Sequence, residues 1–353
     1  SRTVAQKSTI PALEGIYIRA GVKLTLSGYN LETGITISVD AEIQQTGACI
    51  MPSRLFFDII RKLPDDTVSI SVDEKFKVSI RGGISSFTIT AMSSEDYPEL
   101  PEVESDKGIS LPQNELKAMI GGTSFAVSEN QARPIHTGCL FEVEDTSITV
   151  VAVDGYRLAL RRWKSEEPIG RTLKFVVPAA ALKEAEKILG DTDDPCTFFL
   201  GSKHILFTIG EATLVCRLLE GEFLDWRRVL PQNQPVKLAV NVAKMTDSIE
   251  RVGLIISEKL KSPVRCKFGE NTADFRSVST IGEAHDVCQI AGDGQDMEIG
   301  FNCRYLLDAL RAIPDAECSL ELINGLSPIV MNPCDGSERY SYMVLPVRLK
   351  AGE

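Results

Sequence analysis

The chain has 353 residues, 43% of them hydrophobic and 25% charged, which is ordinary for a globular protein and excludes extended disorder. At roughly 150 residues per domain, this length predicts two or three domains. No apolar run reaches the roughly 18 residues of a membrane span, and the start SRTVAQKSTIP lacks the pattern of a signal peptide, so we expect a soluble, cytoplasmic protein. The net charge of −11 by itself disfavours nucleic-acid binding, although net charge does not report where the charges lie.

The N-terminal part of the chain contains two segments that recur about 125 residues further on. TIPALEGIYI from residue 9 aligns with ARPIHTGCLF from residue 132, which places Pro11 on Pro134 and Gly15 on Gly138. MPSRLFFDIIRKLPDD from residue 51 recurs as VPAAALKEAEKILGDT from 177 and as FNCRYLLDALRAIPDA from 301. Each copy of this second block predicts a helix and continues into an alternating, strand-like segment, TVSISV, CTFFL or CSLEL.

These repeats predict three tandem, similar domains at residues 1–106, 107–232 and 233–353. In the second copy, ISLPQNELKAMIGGTSF (109–125) precedes the matched segment and predicts a strand followed by a helix that begins near Pro112. The first copy has almost nothing at that place, so we expect its first strand and most of its first helix to be missing. Strands dominate each repeat, with two short helices, which predicts an α+β class with antiparallel sheets. Such an array needs capped edges or has to close on itself.

The recurrent helix combines a predicted buried face with one basic position. Its apolar columns are Phe56, Leu182 and Leu306 in one row and Ile59, Ala185 and Ala309 in another. The basic, exposed column is Arg61, Lys187 and Arg311. A cation late in a helix also complements the helix dipole, and for any single position that explanation stays open. Three matching positions favour a line of cations that would follow a phosphate backbone without reading bases.

The run VVAVDGYRL (150–158) predicts a β-hairpin, because Asp-Gly between apolar runs is a strong turn signal. Both central residues of such a turn are expected to have positive φ. In the simplest interpretation Arg157 points into water. The aromatic and the arginine that follow the turn at once leave a functional interpretation open.

The sequence contains no recognisable catalytic or metal-binding grouping. Its nine cysteines are scattered without a C-x-x-C pair, which indicates neither a zinc site nor a disulfide framework. His136, His204 and His285 are far apart and belong to no metal-binding motif, and no Walker A loop, nucleophile elbow or dinucleotide fingerprint occurs. We therefore expect no catalytic residue, no metal and no cofactor, with a site assembled from distant residues as the alternative.

Four segments together resemble the bacterial sliding clamp family, the beta subunits of DNA polymerase III: VAVDGYRLAL, EGEFLDWRRVLP (220–231), EIGFNCRYLLDAL (298–310) and YMVLPVRL (342–349). The resemblance covers the whole chain, in order. It implies a ring-forming, head-to-tail homodimer of three-domain protomers, with helices facing the pore and sheets outside. It also implies a processivity factor without enzymatic activity.

The resemblance implies the partners as well. They are double-stranded DNA bound without sequence preference, the replicative polymerase alpha subunit, an ATP-driven clamp loader, and other polymerases and repair factors. Retention on DNA by encirclement would reconcile an acidic total charge with DNA, since only the lining then needs cations.

The family has a pocket between its second and third domains that receives a short hydrophobic motif from each partner. Carried over to this sequence, its walls would be Val153, Gly155, Tyr156, Arg157, Leu158, Leu224, Val229, Asn302, Tyr305, Leu326, Met343, Leu345, Pro346, Val347 and Arg348. Apolar walls with a few polar groups suit a peptide anchor. The alternative for YMVLPVRL is a plain closing strand with a terminal proline, but its chemistry suits a peptide anchor better.

This sequence departs from the family pattern at several pocket positions. Tyr156 stands where the family often has His, Leu224 where it often has Pro, and LPVRL where MPMRL is common. We expect these changes to alter the shape of the pocket and its partner preference.

The resemblance places further residues at the DNA and at the ring interface. Lys7 and Arg133 match loop positions that touch the duplex and join Arg61, Lys187 and Arg311 as the DNA-facing set. Pro134 and Ile135 replace aromatic residues found beside that loop in some members. The ring interface would fall on Phe87 and Ile89 of one protomer and on Leu254 and Ile255 of its partner. A repeat-built scaffold that binds peptides but never encircles DNA is the alternative; it would share the pocket and have no need of the basic column.

Overall fold

The computed structural model describes residues 3–4, 7–64, 67–103, 107–256 and 262–349. The helices in this part of the chain are short, and they are α1 (Ser53–Lys62), α2 (Gln113–Gly121), α3 (Ala179–Ile188), α4 (Trp226–Val229), α5 (Val242–Gly253) and α6 (Cys303–Arg311). None of them is long and apolar enough to cross a membrane.

Strands make up most of the regular structure. Those before α2 are β1 (Gly15–Ala20), β2 (Leu24–Tyr29), β3 (Thr33–Val39), β4 (Gly47–Pro52), β5 (Ser69–Val72), β6 (Lys77–Gly82), β7 (Ser85–Thr90) and β8 (Ile109–Pro112). Those between α2 and α4 are β9 (Gly138–Glu144), β10 (Ser147–Val153), β11 (Arg157–Lys164), β12 (Leu173–Pro178), β13 (Pro195–Leu200), β14 (His204–Ile209) and β15 (Ala212–Arg217). The remaining strands are β16 (Val236–Asn241), β17 (Val264–Ser279), β18 (Gly282–Phe301), β19 (Glu317–Leu322), β20 (Ile329–Pro333) and β21 (Tyr340–Val344).

The chain divides into two compact units, Ser1–Lys117 with Ala180–Leu218, and Ala118–Ala179 with Leu219–Glu353. The first unit contains an eight-stranded sheet in the order β4-β1-β2-β3-β15-β14-β13-β8 and a three-stranded sheet β5-β6-β7. The second unit contains a ten-stranded sheet in the order β12-β9-β10-β11-β21-β20-β19-β16-β18-β17. The strand pairs in these sheets are antiparallel, which confirms the predicted α+β class.

Both large sheets run across the borders between the sequence repeats. In the first unit β3 of the first repeat pairs with β15 of the second, with Thr33 opposite Cys216. In the second unit β11 of the second repeat pairs with β21 of the third, with Leu158 opposite Met343. The second repeat therefore supplies strands to both units.

The structure explains the Pro and Gly positions that recur in the sequence. A 3₁₀ turn at Pro11–Glu14 leads into β1, and another at Pro134–Thr137 leads into β9. Proline suits the start of each turn because it lacks an N–H that would otherwise be unpaired. A Cβ atom on Gly15 would lie 2.2 Å from Ile50 Cγ2, and one on Gly138 would lie 2.4 Å from the Val177 oxygen. Any larger residue at either position would collide with the neighbouring strand, so glycine is required after each turn.

The recurrent helices are α1, α3 and α6, and each directly follows a strand, β4, β12 or β18. Their predicted apolar columns are confirmed as buried: Phe56, Ile59, Leu182, Ala185, Leu306 and Ala309. The predicted strand and helix around Pro112 are also confirmed, because β8 ends there and α2 begins at Gln113. The two predicted helices of the second repeat are α2 and α3, and those of the third are α5 and α6, which are in contact with each other. The one-turn helix α4 was not expected.

Candidate functional site

The site begins at the hairpin formed by β10 and β11, where Val153 pairs with Leu158. The predicted hairpin is confirmed, but the expectation of two positive φ angles in its turn is wrong. Gly155 has φ +92°, whereas neither Asp154 nor Tyr156 has a positive φ. The Asp154 carboxylate instead accepts hydrogen bonds from the backbone N–H groups of Tyr156 at 2.9 Å and Arg157 at 3.1 Å. This capping by Asp154 closes the turn with a single left-handed residue.

Arg157 does not point into water, so the simplest interpretation of this residue is wrong. It is only 7% exposed, and its guanidinium donates to Asp154 Oδ2 at 2.9 Å, Asp308 Oδ2 at 2.6 Å and the Phe125 oxygen at 2.6 Å. It also lies over the Tyr305 ring at 4.4 Å. A planar, five-donor cation can join several groups in this way, and Arg157 thereby ties the hairpin turn to α6 and to the segment before β9.

One face of the ten-stranded sheet carries the apolar part of the site. Leu158 on β11 lies opposite Met343 on β21, which lies opposite Val330 on β20. Paired residues point to the same face of a sheet, so these three form one row. They belong to a core cluster with Val153, Phe223 and Trp226, against which Val229 and Leu345 pack half-buried. We call this set the apolar cluster.

The remaining predicted pocket residues lie around the rim of this cluster or outside it. Tyr156 is 61% exposed and its ring stacks on that of Tyr305 at 6.0 Å. Asn302 caps α6 by accepting a hydrogen bond from the Tyr305 N–H at 3.2 Å. Exposed or half-exposed positions at the surface are Gly155, Leu224, Pro346, Val347 and Arg348. Leu326 is 81% exposed on the turn between β19 and β20.

The C-terminal segment is fastened to the hairpin by its backbone. The Leu345 N–H donates to the Tyr156 oxygen at 2.8 Å, and the Val347 N–H donates to the Gly300 oxygen at 2.8 Å. Leu345 is therefore held half-buried at the edge of the apolar cluster. The alternative of a plain closing strand describes β21 itself, which ends at Val344.

Sequence reasoning missed the buried carboxylate that holds α4 in place. Glu142 on β9 accepts hydrogen bonds from Trp226 Nε1 at 3.1 Å and Arg227 Nη1 at 2.7 Å, and Lys174 Nζ lies 3.2 Å away. This network fixes the segment that carries Val229 against the apolar cluster. The sequence signal was weak, because Glu142 is separated from Trp226 by 84 positions.

Glu142 is expected to make the stability of this unit depend on pH. Burial opposes its ionisation, but the hydrogen bonds from Trp226, Arg227 and Lys174 outweigh burial and hold the pKa of Glu142 below its ordinary value of 4.5. Its contribution is therefore fully present above pH 4.5 and is lost as the pH falls through the lower pKa of the folded state. We expect Glu142→Gln to lower the free energy of unfolding by about 1–2 kcal/mol at pH 7, and the deficit to shrink in acid.

Urea unfolding between pH 3 and pH 7, followed by tryptophan fluorescence, measures this difference. Glu144→Gln is the matched control, because Glu144 lies on the same strand but its side chain is 54% exposed, where it meets Arg227 at 3.2 Å and Ser147 Oγ at 3.5 Å. An equal, pH-independent deficit in both variants would contradict the role of Glu142.

The predicted DNA-facing residues are all at the surface: Lys7, Arg61, Arg133, Lys187 and Arg311. Arg61 lies over the Phe57 ring at 5.6 Å. Lys187 is paired with Glu184 on its own helix, and Arg311 donates to Glu250 at 2.7 Å. Exposed pairs of this kind are weak, so both cations remain able to exchange a carboxylate for a phosphate.

Among the described residues, two of the predicted interface residues lie on the edge strand of a sheet and the other two follow a helix. Phe87 is exposed and Ile89 half-buried on β7, an edge strand of the three-stranded sheet. Leu254 and Ile255 directly follow α5, and Leu254 is exposed while Ile255 is half-buried. In the same unit β17 is an edge strand of the ten-stranded sheet. Unpaired edges beside exposed apolar side chains favour association with another chain.

Comparison with known proteins gives matches along nearly all of the chain. Models of the DNA polymerase III beta subunit match as its N-terminal domain over residues 1–101, its central domain over 110–225 and its C-terminal domain over 227–348. The beta sliding clamp of Staphylococcus epidermidis is 32% identical, over 98% of this chain and 94% of that protein.

Two solved structures illustrate the similarity of fold. A putative DNA polymerase III beta subunit from Eubacterium rectale has a TM-score of 0.92 and 32% identity, covering 98% of this chain and 94% of that one. A sliding clamp from Pseudomonas aeruginosa bound to griselimycin has a TM-score of 0.92 and 28% identity, covering 99% and 95%.

Proposed function

From the premise that this chain belongs to the DNA polymerase III beta subunit family and is a DNA sliding clamp with three clamp domains, we propose that it acts as a head-to-tail homodimer that encircles duplex DNA. In this proposal it is a non-catalytic accessory subunit that tethers the replicative polymerase and other replication and repair proteins. A clamp loader would open and load it. The alternative of a scaffold that never encircles DNA is not favoured, since the relatives are sliding clamps.

We further propose that partners dock through a short hydrophobic peptide on the apolar cluster. The observation that carries this proposal is the half-buried Leu345, which lies at the edge of a buried apolar row and is held by its backbone to the Tyr156 oxygen at 2.8 Å. Tyr156, Leu224 and Val347 leave large apolar surface exposed nearby. An anchored apolar wall beside exposed aromatic surface is the usual form of a peptide hot spot.

Within this pocket we propose separate roles for the wall and the rim. Val153, Leu158 and Met343 are almost fully buried and form the floor, while Val229 and Leu345 offer the accessible apolar surface. Tyr156, stacked on Tyr305, replaces the polar ring that many members of the family have there with a phenol. A partner side chain that packs on an aromatic face is favoured by this change.

Leu345→Ala tests the proposed pocket. A fluorescent peptide with a Leu-Phe anchor is expected to bind the wild type and to lose about tenfold or more in affinity in the variant, because a central apolar contact is removed. Fluorescence anisotropy measures the affinity.

Leu31→Ala is the matched control for this experiment. Leu31 is an exposed leucine in the other unit, and its replacement should leave peptide binding unchanged. Equal affinity of the wild type and Leu345→Ala would overturn the assignment of the pocket.

We propose that the cations of the recurrent helices, Arg61, Lys187 and Arg311, together with Lys7 and Arg133, face the DNA. This proposal is supported by the exposure of all five side chains. For Arg61, Lys187 and Arg311 it is also supported by their equivalent positions on three similar helices. Contacts to phosphates alone carry no sequence information and permit movement along the duplex. The homodimer would close through Phe87 and Ile89 of one protomer and Leu254 and Ile255 of its partner.

A further inference from the structure

A concave region lies on the sheet face that carries the apolar cluster, and the proposed peptide site does not account for it. It is a cavity of about 430 Å³ in the second unit. Leu160, Trp226 and Leu230 line its apolar side, and all three belong to the apolar cluster or pack on it. Its polar side is lined by two cations and two carboxylates, Arg162, Lys237, Glu321 and Glu338. We call it the polar cavity.

The register of the sheet makes the polar cavity continuous with the proposed peptide pocket. The row formed by Leu158, Met343 and Val330 continues to Glu321 on β19 and then to Lys237 on β16, each residue directly opposite the next. Side chains in such a row share one face of the sheet. The row thus changes from apolar to charged within two strands, about 10 Å. A peptide anchored at the apolar end is within reach of the charged end.

The two cations of the cavity differ in how firmly they are held. Lys237 is paired at 3.2 Å with Glu321, a carboxylate whose side chain is only 11% exposed. Arg162 donates through Nε to Thr149 Oγ1 at 3.1 Å and is paired through Nη1 with Glu338. The Glu338 side chain is 71% exposed, on the turn before β21, whereas that of Arg162 is 17% exposed. Glu338 is therefore easily displaced from Arg162 by another carboxylate.

The Arg162 guanidinium also has N–H groups that donate no hydrogen bond to the described residues. A guanidinium has five N–H donors, and among the described residues its Nη2 group donates to none. A largely buried cation with free donors beside a cavity favours an acceptor that brings negative charge, because a carboxylate can bind the guanidinium fork through two oxygens. A basic ligand would have to compete with Arg162 and Lys237 for Glu338 and Glu321, which are already paired.

We propose that the polar cavity is an accessory subsite for an acidic side chain that flanks the hydrophobic anchor of a partner peptide, with Arg162 as the residue that binds it. This inference rests on the proposed peptide pocket. Arg162 lies four residues beyond Leu158 on β11, about 13 Å along the strand, which an extended peptide spans in about four residues. The subsite therefore selects partners with Asp or Glu three to five positions from the anchor.

The test uses the full chain and three peptides that share a Leu-Phe anchor. Each peptide carries the same residue, Glu, Gln or Lys, four positions before and four positions after the anchor. The Glu peptide is expected to bind the wild type about fivefold more tightly than the Gln peptide at low salt, and this ratio should fall as salt is added. In Arg162→Gln the ratio should fall to one, while the affinity for the Gln peptide stays the same.

A second variant keeps the test independent of any folding defect in Arg162→Gln. Glu338→Gln removes only an exposed competitor, so it should raise the preference for the Glu peptide above that of the wild type. Equal binding of the Glu and Gln peptides to the wild type, or preference for the Lys peptide, would overturn the subsite and leave the pocket standing. Failure of all three peptides to bind would overturn the pocket and the subsite together.

Discussion

Arg157→Ala is expected to destabilise the second unit by about 3–5 kcal/mol, because it leaves two partly buried carboxylates without their common cation. The Asp154 and Asp308 side chains are 11% and 23% exposed, so neither is well solvated once Arg157 is gone. The hairpin turn and α6 would also lose the group that joins them. We expect peptide binding to be lost along with the position of Tyr156.

Tryptophan fluorescence during urea unfolding measures this loss, since both tryptophans, Trp163 and Trp226, lie in the second unit. Arg304→Ala is the matched control. Arg304 is 74% exposed and lies 3.9 Å from the same Asp308, and its loss should cost no more than about 0.5 kcal/mol. Arg157→Lys should be intermediate, because an ammonium keeps the charge without the planar fork. A change below about 1 kcal/mol in Arg157→Ala would show that the network is not what holds the turn.

Reversing the charge of the three recurrent helix cations together, Arg61→Glu, Lys187→Glu and Arg311→Glu, is expected to lower the yield of clamp loaded on nicked circular DNA about a hundredfold at low salt. The reason is that three favourable phosphate contacts become repulsive, and each contact contributes close to a factor of ten over a tenfold range of salt. The variant should still bind the Leu-Phe peptide, since the apolar cluster is untouched.

The measurement is gel filtration of labelled clamp with DNA, before and after the circle is linearised. Wild-type clamp should co-elute with the circle and leave the linear form through its ends. Lys75→Glu, Lys203→Glu and Lys267→Glu, three exposed lysines outside the helices, change the net charge equally and should load normally. Light scattering should give a dimer for all of these proteins. Equal loading by both triple variants would contradict the DNA-facing assignment, and wild-type clamp that stays on linear DNA would contradict encirclement.

The sequence was most informative where a pattern is local or repeated. The 3.6-residue periodicity of the recurrent helix identified Phe56 and its equivalents as buried, and the recurring Pro and Gly marked equivalent turns before β1 and β9. Three similar domains could be recognised because the helix with its buried face recurs in each of them. The conformation of the hairpin turn was less predictable, because the Asp154 side chain supplies a cap that a dipeptide rule does not consider.

The candidate site was predictable only in part, because its decisive contacts join distant segments. Arg157 is bound by Asp308, 151 positions away, and Trp226 by Glu142, 84 positions away, and no periodicity connects these pairs. The sheet row that ends at Glu321 and Lys237 depends on the register of five strands. Register is fixed by tertiary pairing, so the polar cavity could not be inferred from the order of residues alone.

The pairing of β11 with β21 has a consequence for synthesis of the protein. A ribosome makes β11 early, yet the strand that covers its edge is made only after residues 165–339 have been added. Until then the nascent chain presents an unpaired strand edge whose Leu158 and Leu160 have no partner strand on that side. We infer that a chain broken off before β21 would be prone to aggregation rather than to folding as a shorter clamp, and that completion of translation is what closes the sheet.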